Sequence, residues 1–391
     1  MLKPVPLRIV SALTCILLTA TVAGAAEPRL EKVDLFEART GGYFAYRIPG
    51  IVVSTQGTLL AYVEARKQSR SDWAEIDILL RRSTDGGKTW GERQTLASAA
   101  GKTVNNPLAI VDAETGAVHF LYCIEYARAF YMRSDDDGKT FTAPVEITAT
   151  FEQFRQDYDW NVIATGPGHG IQLRNGRLVV PVWLSTGGKS HRPSIVATIY
   201  SDDHGATWQR GEVVVTHEQV RNPSETLTVE LADGKVLLNI RNEAEESRRA
   251  ISVSSDGAHG WSPSRFDPAL YEPVCMAGLV RLTREGPYAK SRILFSNPDS
   301  RQVPKKEWSG SRENLMIKMS YDEAQTWPIS KVLDAGIAGY SDLAAGGDKM
   351  IYCLYERGGV EGEMFDPRHV TLASFNVEWL TDGKDRLQPN K

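Results

Sequence analysis

Seven charged or phenolic residues, scattered over about 290 positions, could form one site. They are four arginines, two carboxylates and a tyrosine: Arg47, Arg66, Asp72, Glu225, Arg241, Arg312 and Tyr340. Converging guanidinium groups match a carboxylate or a phosphate, because each can donate two parallel hydrogen bonds. The sequence has no glycine-rich phosphate loop and no set of residues with metal-ligand spacing, so it favours a carboxylate ligand and predicts neither a metal nor a cofactor.

A tyrosine in such a set suits an anionic ligand. A carboxylate nucleophile would be repelled by a ligand that is itself negative, whereas a neutral phenol can approach it. With a usual pKa near 10, a phenol needs a neighbouring base such as Glu to take its proton.

A short repeated motif predicts the fold that would bring these residues together. Ser-x-Asp-x-Gly-x-Thr followed by an aromatic residue occupies residues 83–90, 134–141 and 201–208, is altered at 320–327, and keeps only its ends at 254–261. Ser and Asp side chains bond turn amides, and Gly takes positive φ without penalty. The motif therefore predicts tight turns between strands, with Trp90, Trp208 and Trp327 packed beneath them.

A second repeat gives the period of the fold. Apolar, strand-like runs begin at Gly57, Gly116, Gly176, Gly234, Ser291 and Asp348, which are 59, 60, 58, 57 and 57 residues apart. This regular spacing predicts an all-β, six-bladed β-propeller with four strands in each blade. A β-sandwich is the alternative, but it would not require a regular period. We expect residues 31–38 to add a strand to the last blade.

The antiparallel order of strands predicts where the site lies. The start of the first strand, the end of the second and the start of the third share one rim of a propeller, and the repeated turns lie on the other. All seven residues map to the first rim, where a small-ligand site is expected. Asn106 and His169 start strands on the same rim, although His169 suits backbone packing better than acid–base work. Three loop residues could cover part of the ligand: Trp73, Trp160 and Trp308.

Six short stretches, taken together, resemble the exo-α-sialidases of bacteria and animals. They are Tyr46-Arg47-Ile-Pro, the loop around Asp72, the run from Glu225 to Gly234, Asn239-Ile-Arg241-Asn, Ser311-Arg312-Glu-Asn and Gly339-Tyr340-Ser-Asp-Leu. The resemblance extends from about residue 33 to 378. It implies a six-bladed propeller that hydrolyses terminal α-linked sialic acids with retention, using a tyrosine nucleophile. The implied substrate is a sialylated glycoprotein, glycolipid or oligosaccharide.

The resemblance also implies a role for each residue. Arg47, Arg241 and Arg312 would hold the sialic acid carboxylate, and Arg66 would lie near the acid/base loop. Asp72 would be the general acid and base, Tyr340 the nucleophile, and Glu225 the base that activates it. Two carboxylates compete with these assignments. Asp77 opens an apolar strand, so we interpret it as structural. Glu230 precedes a turn on the far rim, so Glu225 is preferred to it as the base.

The ends and the composition of the chain set further expectations. Lys3 and Arg8, an apolar run over residues 9–22 and Ala23-Gly24-Ala25 predict a secretory signal in residues 1–25, hence a secreted or periplasmic protein with a single domain over 26–391. Without the signal, 43 basic and 49 acidic residues leave a net charge of −6, which argues against nucleic-acid binding. No other stretch is long enough to span a membrane.

Three cysteines remain after the signal: Cys123, Cys275 and Cys353. Their odd number and wide spacing predict buried thiols instead of disulfides or a zinc site.

Two other functions remain open. A non-catalytic propeller that binds glycans or scaffolds a complex would keep the repeated turns, but would have no need for Asp72, Glu225 and Tyr340 beside the arginines. A third reading keeps the site and changes the sugar to another 3-deoxy-2-ulosonic acid, or the acceptor, as in transglycosylation. Fold analogy does not choose between these.

Overall fold

Short apolar strands separated by turn motifs give this chain an almost entirely β structure. The computed structural model describes residues 1–3, 27–301 and 310–388. Most of the predicted signal segment therefore lies outside the described residues, as do Cys15 and Trp308. None of the helical elements in the described part of the chain could span a membrane.

The strands, in chain order, are β1 (Leu30–Glu37), β2 (Ala45–Val53), β3 (Leu59–Arg66), β4 (Ile76–Ser83), β5 (Gln94–Ala97), β6 (Val104–Val111), β7 (Val118–Ile124), β8 (Arg128–Ser134), β9 (Val145–Glu146), β10 (Val162–Thr165), β11 (Gly168–His169), β12 (Ile171–Gln172), β13 (Leu178–Ser185), β14 (Ser194–Ser201), β15 (Gln209–Val215), β16 (Thr226–Glu230), β17 (Val236–Ile240), β18 (Arg248–Ser254), β19 (Arg265–Tyr271), β20 (Gly278–Thr283), β21 (Arg292–Pro298), β22 (Glu313–Ser320), β23 (Ile329–Ala345), β24 (Ile351–Val360) and β25 (Glu363–Phe375). The helical elements are α1 (Thr148–Glu152), a 3-10 turn (Gln153–Gln156) and α2 (Val377–Leu380).

These strands form five sheets. β2 to β5 and β16 to β19 form sheets of four strands in chain order. β6 to β9 and β10 with β13 to β15 form two more, each joined by a short additional strand. The fifth sheet has seven strands in the order β1-β25-β24-β23-β22-β21-β20. Its long strand β23 pairs with β22 up to Ile337 and with β24 from Ala338 onward.

The innermost strands of the sheets contact one another in a ring, which is the arrangement of a propeller. β2 packs against β6 and β23, and β20 packs against β23 and β16. In the third sheet, β12 packs against β16, and β10 and β11 pack against β6. Apolar side chains fill the spaces between sheets. Between the second and third sheets, for example, the core contains Leu108, Ile163, Val180 and Trp208. The predicted closing strand is also present, because β1 pairs antiparallel with β25.

The repeated motif forms the expected turns. In the first copy, Ser83 Oγ donates to Asp85 Oδ1 at 2.8 Å, and the Thr89 hydroxyl and amide donate to the Asp85 carboxylate at 2.6 and 2.9 Å. Gly87 has φ +89°, which glycine adopts without a Cβ clash. Because β3 ends at Arg66 opposite Ile76 and begins at Leu59 opposite Ser83, this turn lies at the end of the sheet away from Arg66.

Two details differ from the sequence-based expectations. The first strand of the third sheet is broken into β10, β11 and β12, and β11 pairs in parallel with β6 of the neighbouring sheet. Trp160, one of the three loop tryptophans that could cover part of a ligand, is instead buried in the core. Its ring is 3 % exposed within the core, and its indole N–H donates to the Phe151 carbonyl at 3.1 Å. The predicted buried thiols are confirmed for Cys123, Cys275 and Cys353.

Candidate active site

One cavity of 440 Å³ gathers six of the seven predicted residues. Arg47, Asp72, Glu225, Arg241, Arg312 and Tyr340 all line it. The seventh, Arg66, is fully buried directly behind Asp72. The chain therefore brings these widely separated residues together at one place.

Tyr340 and Glu225 are in direct contact at the floor of the cavity. The Tyr340 hydroxyl donates to Glu225 Oε1 at 2.6 Å and accepts from Arg241 Nη1 at 2.7 Å. The same arginine nitrogen also donates to Glu225 Oε2. Burial raises the pKa of Tyr340 well above its usual value, although Arg241 pulls it in the opposite direction. The phenol is therefore neutral at neutral pH, with an acceptor for its proton already in place.

Three guanidinium groups surround the Tyr340 ring. The Cζ atoms of Arg47, Arg241 and Arg312 lie 5.2, 5.9 and 5.1 Å from its centroid. All three arginines line the cavity, so their charges face one space. A cluster of this kind can bind a carboxylate through several charge-assisted hydrogen bonds.

Arg47 is held by a glutamate that the sequence reasoning missed. Glu356 on β24 is fully buried and accepts from Arg47 Nε and Nη2 at 3.0 and 3.2 Å. It also accepts from the backbone N–H groups of Ile48 and Tyr340 at 3.2 and 3.1 Å. One carboxylate thus ties an arginine of the cavity to the backbone of the tyrosine. The sequence does carry one signal for Glu356: it is a charged residue at the end of the apolar run that starts at residue 351.

Asp72 lies in the loop between β3 and β4, with 41 % of its side chain exposed to the cavity. Arg66 Nη2 donates to its carboxylate at 2.8 Å. Burial alone would raise the pKa of Asp72, but Arg66, Arg47 and His191 together lower it well below its usual range. Asp72 is therefore a carboxylate in the ligand-free protein at neutral pH.

Glu64 is a second buried carboxylate that the sequence reasoning missed. It accepts from Arg66 Nη2 at 2.9 Å, so a single nitrogen bonds both Glu64 and Asp72. Glu64 also accepts from the backbone N–H of Asn106 at 2.9 Å. Burial raises the pKa of Glu64, and Arg66 opposes that change. Asn106 itself lines the cavity, as its position on the rim suggested.

Aromatic side chains form one wall of the cavity, on the side of Asp72. Trp73, which follows Asp72, lies 4.5 Å from Tyr126 and 5.5 Å from His191, measured between ring centroids. His191 also meets Trp183 edge to face at 5.2 Å. These four residues line the cavity and give it an apolar side. Of the four, the sequence reasoning named only Trp73, because the others lie in strands and loops with no distinctive motif.

The competing carboxylates lie elsewhere. Asp77 accepts from Tyr43 at 2.8 Å and from Ser98 at 2.6 Å, and it does not line the cavity. Glu230 lines a second cavity of 280 Å³ and bonds Arg174 and Arg284.

His169 borders that second cavity too, where its Nδ1 lies 2.7 Å from Asp342 Oδ1. Burial would lower the pKa of His169, but Asp342 raises it. His169 is therefore paired inside the ring and does not line the larger cavity.

The cavity combines an anion-binding side with acid–base groups. Three arginines can hold a carboxylate, Tyr340 has a proton acceptor, and Asp72 is open to a ligand. Within residues 1–3, 27–301 and 310–388, no group of three or more His, Cys, Asp or Glu side chains could hold a metal ion. The arrangement suits the cleavage or transfer of a group that carries a carboxylate.

This chain is similar to a known protein family and to known sialidases. The family model described as BNR repeat-like domain matches residues 57–353. The sialidase of Micromonospora viridifaciens is 33 % identical over 407 residues, which cover 93 % of this chain and 58 % of that protein. The sialidase of Bacteroides fragilis is 32 % identical over 347 residues, which cover 80 % and 60 %. This chain therefore spans about three fifths of the length of both relatives.

Solved structures share the fold. The Hadza microbial sialidase Hz136 has a TM-score of 0.76 and 27 % identity, covering 89 % of this chain and 69 % of that one. The intramolecular trans-sialidase of Ruminococcus gnavus has a TM-score of 0.72 over 89 % of this chain and 98 % of that one, but only 18 % identity. The all-β propeller arrangement of sialidases is therefore the arrangement of this chain.

Proposed function

Because this chain belongs to the BNR repeat-like domain family, we propose that it is an exo-α-sialidase. It removes terminal α-linked sialic acids from glycoproteins, glycolipids or oligosaccharides. The observation that carries the proposal is the contact between Tyr340 and Glu225 within a ring of three arginines. A scaffold or a simple glycan-binding protein has no use for a neutral phenol with a built-in proton acceptor.

The first half of the reaction forms a covalent intermediate. Arg47, Arg241 and Arg312 hold the carboxylate of the sugar over Tyr340. The phenol oxygen attacks the anomeric carbon while its proton moves to Glu225. At the same time the glycosidic bond breaks, and Asp72, which takes up a proton from water as the substrate binds, donates that proton to the leaving oxygen.

The second half releases the product with retained configuration. Asp72, now a carboxylate, takes a proton from a water molecule, whose oxygen attacks the anomeric carbon. The bond between the sugar and Tyr340 breaks, and Glu225 returns its proton to the phenol oxygen. Two displacements at one carbon restore the original configuration.

The number of blades, the bounds of the domain and the signal segment are part of the same proposal. We count six blades by treating the seven-stranded sheet as two blades that share β23, since its two halves have different partners. Residues 26–391 would then be one propeller domain. Residues 1–25 would be a cleaved signal that directs the protein to the periplasm or outside the cell.

The proposal is tested by the release of a fluorescent phenol from an aryl sialoside. The wild-type protein should release it, and Tyr340→Phe should lose at least about a hundredfold in kcat. Tyr321→Phe is the matched control, because the Tyr321 hydroxyl bonds Asp385 away from the cavity. No release by the wild type, or equal rates in wild type and Tyr340→Phe, contradicts the proposal. Identifying the products separates hydrolysis from transfer.

A further inference from the structure

The orientation of Arg312 depends on a strained piece of backbone. Arg312 Nη2 donates to the carbonyl oxygen of Val274 at 2.8 Å. Val274 has φ +61°, in the left-handed region that β-branched residues rarely adopt. Such a conformation persists only where the surrounding structure enforces it.

A buried ion pair holds the next residue, Cys275, from both sides. The Cys275 N–H donates to Glu272 Oε1 at 3.0 Å, and its carbonyl accepts from Arg249 Nη1 at 3.1 Å. Glu272 and Arg249 bond each other at 2.6 Å, with side-chain exposures of 1 % and 0 %. Arg249 is fixed in turn by two bonds to Asn239, at 2.6 and 3.0 Å. The ion pair therefore holds both the N–H and the carbonyl group of Cys275, the residue next to Val274, by hydrogen bonds.

The same device occurs beside Arg47. Ile48 has φ +56°, and its N–H donates to Glu356 Oε1 at 3.2 Å. Glu356 also bonds Arg47 directly. One buried glutamate thus fixes a left-handed residue together with an arginine of the cavity.

A third case lies beside Arg66. Asn106 has φ +54°, its N–H donates to Glu64 at 2.9 Å, and Glu64 bonds Arg66 at 2.9 Å. Arg249, the arginine that Glu272 bonds, does not line the cavity, and neither does Arg66. The contact with the cavity is made one step further on, through the Val274 carbonyl.

We propose that the buried pair of Glu272 and Arg249 positions Arg312 for the carboxylate of the ligand. The pair holds Val274 left-handed, which aims the Val274 carbonyl at Arg312 and fixes the direction of its guanidinium group. Neither Glu272 nor Arg249 lines the cavity, so both act through Arg312 as positioning residues. This inference rests on the proposed function, because it takes a sialic acid carboxylate as the group that Arg312 meets.

A purely structural role explains the pair less well. Replacing a buried ion pair by apolar residues of similar volume is often neutral or stabilising. Stability alone therefore gives little reason to bury two charges at this point. Aiming one carbonyl at one arginine requires the hydrogen bonds that only polar groups provide.

The test measures six affinities by calorimetry. The ligands are 2,3-didehydro-N-acetylneuraminic acid and its methyl ester, and the proteins are the wild type, Glu272→Gln and the control Glu230→Gln. The variant should bind the acid at least about tenfold more weakly, and the ester within about twofold of the wild type. Glu230→Gln, a buried carboxylate of the second cavity, is the control and should bind both as the wild type does. No loss, or equal losses for acid and ester, overturns the inference.

A second variant guards against misfolding. The double substitution Glu272→Met with Arg249→Met keeps the volume apolar and should fold. It should show the same selective loss for the acid, and wild-type affinity for the acid would overturn the inference.

Ligand-free crystal structures separate this inference from the proposed function. In Glu272→Gln, Val274 should leave the left-handed region and Arg312 should lose its carbonyl contact. If both stay in place, the inference is wrong whatever the protein binds. A wild type that binds neither ligand contradicts the proposed function instead.

Discussion

The Tyr340 hydroxyl donates a 2.6 Å hydrogen bond to Glu225, although 115 residues separate them in the chain. One residue lies on β23 and the other directly precedes β16, so they meet because their sheets face the same central space. A phenol alone is a weak nucleophile at neutral pH. With Glu225 already in contact as a proton acceptor, Tyr340 meets a requirement of the nucleophile that we propose.

The first prediction concerns Asp72 and the leaving group. In Asp72→Ala, cleavage of a natural sialoside should fall by about 10²–10⁴, because no acid protonates the sugar oxygen. Cleavage of an aryl sialoside with an acidic phenol should fall much less, since that group leaves as an anion. Comparing kcat/KM for both substrates checks this. Equal losses would show that Asp72 is not the acid.

The pH dependence follows from the same residue. Arg66 and Arg47 outweigh the effect of burial and hold the pKa of Asp72 below its usual range, so the free protein carries it ionised. Because the acid step needs its protonated form, kcat/KM for a natural sialoside should fall as pH rises. The aryl substrate should show a weaker fall between about pH 5 and 8. Identical profiles for the two substrates would contradict this explanation.

The sequence predicted which residues share the rim of the cavity where those residues stand at repeated positions. Arg47, Glu225 and Tyr340 stand eight to ten residues before a repeat start, so the antiparallel order of strands predicted that they share one rim. The Tyr340–Glu225 contact itself could not be derived from spacing alone, because it depends on how blades on different sides of the ring face each other.

The sequence did not reveal the buried glutamates that bond Arg66 and Arg47, and the reason is physical. Glu64 and Glu356 lie inside apolar strands, and a sequence pattern does not show which of two strand faces meets an arginine. The sequence left the place of Trp160 open for the related reason that a loop tryptophan can turn inward. Its indole N–H finds the Phe151 carbonyl, which lets the ring pack in the core.

The second prediction concerns the arginine cluster. Arg312→Ala should weaken binding of the sialic acid analogue by about 2–5 kcal/mol, the range for removing one partner of a buried charge pair. The methyl ester, which has no negative carboxylate, should lose less. Calorimetry on both ligands checks this. Unchanged affinity for the acid would remove Arg312 from the carboxylate site.

The third prediction concerns Glu356. In Glu356→Gln, Arg47 loses its buried counter-charge and the backbone of Ile48 and Tyr340 loses a carboxylate acceptor. We expect both a higher KM and a lower kcat, because the substitution disturbs the clamp and the nucleophile together. Asp77→Asn, a buried carboxylate of the first sheet outside the cavity, should leave both constants within about twofold. An unaltered Glu356→Gln enzyme would show that Arg47 needs no such partner.

The fourth prediction concerns the turns. Asp203 accepts from the Thr207 amide and hydroxyl at 2.8 and 2.6 Å and from Ser201 at 2.8 Å. Asp203→Ala should lower the free energy of unfolding by about 1–2 kcal/mol and leave kcat/KM unchanged, because the turn lies on the rim away from the cavity. Urea denaturation and the aryl sialoside assay measure the two quantities. A loss of activity without a loss of stability would contradict the purely structural role.

The central claim, that Tyr340 forms the bond to the sugar, is tested most directly by trapping the intermediate. The protein is incubated with 2,3-difluorosialic acid, whose fluorine at carbon 3 slows release of the covalent sugar, and digested for peptide mass spectrometry. We predict one added sugar, on Tyr340, and none in Tyr340→Phe. A sugar found on Asp72 or Glu225, or turnover of sialosides with no adduct on Tyr340, would contradict the account.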